Sequence, residues 1–330
     1  MESPHAFANL RILAAIGALA AGVGAVVFIV SLLDGLPPIA TPASSSGPSA
    51  PAAPTATAPT PQRTSFPVPP RGSVVFGSEA GPDALGLAVV PRKGSIGLQA
   101  SVLDENGKGV KGLEVRFDVR GSQTASATGA LCGPGCYRAT AAVARPRSIT
   151  VALGARRAEF TMPTQWPPPS ATKLVEQATR VFRGLRTFVI HDSLGDGHVR
   201  LSTIYRIVAP DKLTYSIRNG GDAVIIGDQR WDRPSGSSRW VTQFQTPITQ
   251  PTPFWVKIEA AHLLGTVTVA GRPAWKVSFF DPDTPGWYTL VIDKATLRPM
   301  DMLMTAHAHF MHDTYGDFNA PLKIVPPIRP

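Results

Sequence analysis

The chain has 330 residues, room for two modest domains and extra segments, and with 43% apolar and 17% charged residues it can build real cores. Its formal net charge of +9 at pH 7 favours anionic surfaces such as lipid headgroups or acidic polymers. The Lys and Arg residues are scattered, with no basic run interleaved with aromatics, so no nucleic-acid partner is expected.

Residues 1–11 read as a short cytoplasmic stub. Residues 12–33 (ILAAIGALAAGVGAVVFIVSLL) carry no charge. A bilayer core of about 30 Å needs roughly 20 apolar residues, so this run is expected to span as an uncleaved signal anchor. Arg11 precedes it and Asp34 follows it. Positive charge stays inside, which places the bulk of a single-pass protein outside the cytoplasm, with the cytoplasmic membrane as one partner. Gly17, Gly22 and Gly24 also offer a close-packing face to another membrane protein. Residues 34–71 are mostly Pro, Ala, Thr and Ser and read as an extended, disordered linker.

Residues 80–164 read as a β-sandwich. The stretches LGLAVV from Leu85, SIGLQASVL from Ser95, LEVRFDV from Leu113 and SITVAL from Ser148 alternate apolar and polar residues at least in part. Cys132-Gly-Pro-Gly-Cys136 is read as a local structural disulfide, since cysteines of an exported chain usually pair and Gly-Pro-Gly turns tightly. Trp166-Pro-Pro-Pro169 reads as a stiff joint. A helix is expected from Ala171 to Arg186, capped by Ser170, with Leu174, Val175, Ala178, Val181, Phe182 and Leu185 on one stripe. A short second helix is expected at Phe254–Leu264. Strands fill the rest of residues 170–326, the last running from Pro299 to His312. The predicted fold is therefore mainly β: a transmembrane helix, a linker, a β-sandwich, and an α+β unit whose antiparallel sheet accompanies a helix.

Three constellations invite a functional reading. On one uninterrupted strand, Met300, Met302, Met304, Ala306, Ala308 and Phe310 would share a face. Methionine adapts to irregular apolar partners, so this row reads either as ordinary core or as the lining of a site for a lipid or other apolar small molecule. Trp240, Phe244 and Trp275 are further candidates for that lining. The opposite face would carry Thr305, His307, His309 and Met311, a nitrogen and thioether set suited to copper, or simply two surface histidines. Copper is the one cofactor these residues suggest. Asp281-Pro-Asp-Thr-Pro285 reads as a hairpin turn rather than a carboxylate pair for catalysis. No G-x-S-x-G, H-E-x-x-H or phosphate-binding glycine loop occurs, so no enzyme is expected.

The segments APDKLTYSI, GGDAVIIGDQRW, GRPAWKVSFFDPDTPGWYTLVIDKATLRP and MTAHAHFMHDTYGDFN, following a helix, resemble the LolA-like fold, which includes the LppX-type lipoproteins. The resemblance covers about residues 170–326. It implies a strongly curved sheet around a helix, with an apolar hollow that in known members takes acyl chains. Residues 80–164 resemble the immunoglobulin-like domains of the YtkA-like group. The combination resembles the exported tail of actinobacterial CopD-type copper-resistance proteins. Those carry several membrane helices where this chain has one, so a transport role is not carried over. The leading expectation is a membrane-anchored, extracytoplasmic, lipid-binding protein. The alternatives are a copper-resistance accessory protein or a structural partner of another membrane protein.

Overall fold

The computed structural model describes residues 66–328. The predicted stub, the membrane span at residues 12–33 and most of the linker lie outside the described residues. Among the described residues no helix is long and apolar enough to cross a membrane. The architecture is mainly β, with antiparallel pairing throughout the registered strands.

Nine strands build the smaller domain: β1 (Val74–Ala80), β2 (Asp83–Arg92), β3 (Ser95–Leu103), β4 (Val115–Gly121), β5 (Thr124–Thr128), β6 (Ala130–Gly133), β7 (Cys136–Ala141), β8 (Pro146–Leu153) and β9 (Arg156–Thr161). They form two sheets, ordered β1-β2-β3-β7-β6 and β5-β4-β8-β9. Val74, Leu85, Leu87 and Leu98 from one sheet meet Phe117, Val119, Ile149 and Val151 from the other in one core, as alternation predicts for a sandwich. The domain starts at Val74, earlier than the residue 80 expected. The end of the predicted linker is also ordered, because the Pro67 and Val68 carbonyls accept hydrogen bonds from Ser101 and Gln99 of β3. The disulfide between Cys132 and Cys136 is formed.

The larger domain opens with α1 (Thr172–Arg183), which buries Val175, Ala178, Thr179 and Phe182. Ser170 does not cap it. The N-cap position is Ala171, without a side-chain hydrogen bond, and the Ala171 N–H bonds instead to the Ala261 carbonyl. Eleven strands follow: β10 (Thr187–Gly195), β11 (Arg200–Val208), β12 (Lys212–Ile217), β13 (Asp222–Ile226), β14 (Gln229–Arg233), β15 (Val241–Phe244), β16 (Glu259–Val269), β17 (Arg272–Asp281), β18 (Gly286–Asp293), β19 (Pro299–Ala306) and β20 (His309–Gly316). Their order is β15-β14-β13-β12-β11-β10-β20-β19-β18-β17-β16. Two meanders are thus joined by one seam, β10 against β20. One helix is too few to cover eleven strands, and the chain supplies a second cover. The helix expected at Phe254–Leu264 does not form: residues 259–264 open β16, and residues 245–258 run as a strap whose Ile248, Phe254, Trp255 and Ile258 pack on the same core as α1.

The two domains meet through β1, whose residues approach β16, β17, β18 and β19. Val75, Ala84, Ala88 and Leu103 of the sandwich cluster with Phe280, Trp287 and Phe310 of the large sheet. Gly77 and Gly86 are opposite each other in the β1–β2 register. A β-carbon on Gly86 would come within 2.0 Å of the Trp287 indole, and one on Gly77 within 2.7 Å of Trp287 and Thr305. Arg200 and Glu79 close the rim with an ion pair at 2.5 Å.

Candidate functional site

Side-chain alternation gives the large sheet an inner face, the one turned to α1 and the strap. Phe188, Ile190 and Leu194 of β10, Val277 and Phe279 of β17, Tyr288 and Leu290 of β18, and Met302 and Met304 of β19 all reach it. Around Trp255 these residues form an aromatic nest. Its ring meets Phe279 and Tyr288 edge-on at 5.7 and 6.1 Å, and Phe182 of α1 lies 6.5 Å away. Trp255 Nε1 donates to Thr179 Oγ1 of the helix at 2.9 Å. The volume expected to be an apolar hollow is occupied by the protein's own side chains in this half of the domain.

The other half, β10 to β15, buries Ile207, Leu213, Ile217 and Ile225 in the same core. Val199, Leu201, Tyr205, Tyr215 and Ile248 remain partly exposed beside the core. Here the inner face is mixed in character. Arg230 donates to Tyr215 Oη at 2.7 Å and to both oxygens of Asp232, and Gln243 donates to Asp232. Tyr205 and Tyr215, cross-strand partners, bring their rings to 5.8 Å. Burial pushes both phenols up, and for Tyr205 the carboxyls of Asp192 and Asp313 add to the effect. In the next row across the sheet stand Thr203, Asp192, Asp313 and Met302, with Tyr315 Oη donating to Asp313 Oδ2 at 3.1 Å. Sequence reasoning missed the pair Asp192 and Asp313, because the two residues are far apart in the chain and neither lies in a recognisable motif.

The predicted lining residues separate. Met302 and Met304 are on the inner face as expected. A register shift between Val291 and Ile292 turns Met300 to the other face, where it clusters with Ala274 and Val291. Phe310 belongs to the interface with the sandwich. Trp240 packs on the outer face near Val224 and Trp231, with the Arg233 guanidinium 5.0 Å above its ring. Phe244 is 79% exposed on the edge strand. Trp275 lies against the inner core, with the Lys294 ammonium over its ring. Two open clefts lie elsewhere, one of about 370 Å³ at Pro70, Arg92, Gln99 and Arg138 on the sandwich and one of about 200 Å³ at Arg206, Thr214, Arg233 and Trp240.

The predicted metal row is also broken. The strand expected from Pro299 to His312 is a hairpin, turning at His307 and Ala308. Thr305 faces the sandwich and Met311 is buried in the inner core beside Met304, so these two lie on opposite faces. His307 and His309 stay neighbours, their ring centres 6.5 Å apart. Burial, with the nearby His309, holds the His307 imidazole below its usual range, and Asp104 opposes this. Among the described residues no group of three or more His, Cys, Asp or Glu gathers as a metal site.

No family model and no curated protein matches the sequence. Among solved structures the chain is similar to LprF from Mycobacterium bovis, at 11% identity and a TM-score of 0.37, over 48% of this chain and 99% of that one. It is similar as well to the lipoprotein LppX from Mycobacterium tuberculosis, at 13% identity and a TM-score of 0.38, over 46% of this chain and 97% of that one. Likeness at this level carries no argument about ligand or activity.

Proposed function

We propose that the large domain binds an amphipathic ligand, an apolar chain with a polar head, along the β10–β15 half of its inner face. The observation that carries this reading is a row of partly exposed side chains, Leu201, Tyr205 and Tyr215, beside the charged Arg230 on the same inner face. Largely apolar surface with a few fixed polar groups is the usual make-up of a small-molecule site. Here Arg230, held by Asp232 and Tyr215, supplies a cation for an acidic head. The strap is the movable part of the site. It contributes side chains to the core but, among the described residues, no registered strand pairing between Phe244 and Glu259, so an alkyl chain displaces it more readily than a strand.

We further propose that the protein works outside the cytoplasm, tethered by residues 12–33. The Cys132–Cys136 disulfide supports this, since such bonds persist in oxidising compartments. The ligand reading is tested by displacement of a fluorescent fatty acid from the full-length chain. Saturable binding that Leu201→Lys abolishes supports it. Absence of saturable binding, or binding indifferent to Leu201→Lys, overturns it.

A further inference from the structure

We propose that His307 and His309 form a two-nitrogen site for one cuprous ion at the junction of the two domains. The hairpin between β19 and β20 turns on His307 and Ala308, and Ala308 takes a positive φ of 53°. That turn presents both imidazoles at one end of the hairpin. His309 Nδ1 donates to the His307 carbonyl at 3.0 Å. Its Nε2 is therefore the bare nitrogen, and this atom is buried without a hydrogen-bond partner. His307 Nδ1 is likewise buried and unpartnered. Buried polar atoms left this way are few in folded proteins, and here two imidazole nitrogens so placed occur on adjacent rings. An imidazole fixed through its other nitrogen by a backbone carbonyl is the arrangement metal-binding histidines commonly use.

The separation of the rings and the number of donors narrow the choice of ion. With a nitrogen about 1.1 Å from its ring centre and bonds of about 2.0 Å, two rings on opposite sides of one ion have centres about 6.2 Å apart. At a tetrahedral angle the separation falls to about 5 Å. The observed 6.5 Å is slightly beyond the linear limit, so the rings must draw together by a few tenths of an ångström to share an ion, and they fall far short of the tetrahedral approach. Two imidazole donors alone suit a monovalent d¹⁰ ion. Zinc would call for two further protein ligands, and no such group gathers among the described residues. Imidazole is a good copper ligand, and Met311, buried against Met304, is committed to the core.

The site touches the sandwich. A β-carbon on Gly107 would lie 3.2 Å from the His307 ring, so this ring rests on the loop after β3. Asp104 holds that loop by accepting from the Asn106 and Lys108 amides. A bound ion fixes the His307 ring and, through it, the contact between the domains.

The test is titration of the full-length chain with Cu(I), kept reduced by ascorbate, against a chromophoric chelator. One ion per chain is expected. His307→Gln and His309→Gln each weaken binding at least about 100-fold, more than loss of a supporting hydrogen bond costs a metal site. His198→Gln, on an exposed side chain, leaves it unchanged. X-ray absorption of the copper-loaded wild type shows two nitrogens and no sulfur, a readout that stands even if a variant fails to fold. No uptake, wild-type affinity in the double variant, or sulfur bound to the copper overturns the site. None of these outcomes depends on the amphipathic-ligand reading.

Discussion

Asp192 and Asp313 stand directly opposite each other on β10 and β20, at the seam where the two meanders of the large sheet join. Asp313 is fully buried and Asp192 is 5% exposed. Two like charges at that depth would be costly, so the pair holds a proton, and the acid donates to the carboxylate. Burial pushes Asp192 up to about 6, against the hydrogen bond from Asp313 and the charges of Arg200 and His312. It also holds Asp313 well above the ordinary carboxylate range, and the neighbouring Asp192 adds to the effect.

This pair makes stability depend on pH. The folded values lie above the ordinary carboxylate value near 3.9, so the folded state binds more protons than the unfolded state. The contribution is fully present below about pH 4 and is lost as pH rises through about 6 and beyond. Urea unfolding should show the wild type weaker at pH 8 than at pH 5 by roughly 1–3 kcal/mol from this source. Asp313→Asn, whose amide can donate to an ionised Asp192, should flatten the slope. Equal slopes in the two proteins would contradict the shared proton.

Gly86→Ala should destabilise the junction between the domains. The added methyl meets the Trp287 indole, which is itself fully buried and cannot swing aside. Overpacking of this kind typically costs about 1–3 kcal/mol. Limited proteolysis should cut the variant between residues 162 and 171 faster than the wild type; equal rates would show that the contact bears no weight.

Trp255→Ala should lose the nest around Phe279 and Tyr288 and leave Thr179 without its donor. Loss of a buried tryptophan costs about 3–5 kcal/mol. Calorimetry measures it. Under the proposed function, the same variant should bind a fluorescent fatty acid more tightly, because the strap loses its anchor.

Replacing Cys132 and Cys136 with Ser should cost no more than about 2 kcal/mol, since closing so short a loop removes little chain entropy. The turn is also held by the Val102 amide donating to the Gly135 carbonyl at 2.8 Å. A larger loss on reduction would mean that the bridge holds more than its own turn.

Much of the fold was legible in the sequence because period-two alternation survives wherever one face is buried. The strands of both domains and the helix stripe at Val175, Ala178 and Phe182 follow from it. The failures have local causes. Nothing in the sequence marks the turn at His307, because Ala308 occupies a left-handed position without the Gly or Asn usual there. Unbroken alternation therefore aligns Phe310 with the methionines and Met311 with the histidines. A register shift, which alternation cannot foresee, moves Met300 off the methionine face. The helix expected at Phe254–Leu264 is instead the end of the strap and the start of β16, and Phe254, Trp255 and Ile258 serve a cover fixed by tertiary contacts. Asp192 and Asp313 meet only through the closure of the sheet, a long-range fact that no local pattern carries.

The decisive experiment is native mass spectrometry of the full chain, purified gently from cells that make it. An amphipathic ligand on the inner face gives an added mass of several hundred daltons that organic solvent removes and that Leu201→Lys prevents. A bare polypeptide that also takes up no fatty acid on incubation would contradict it.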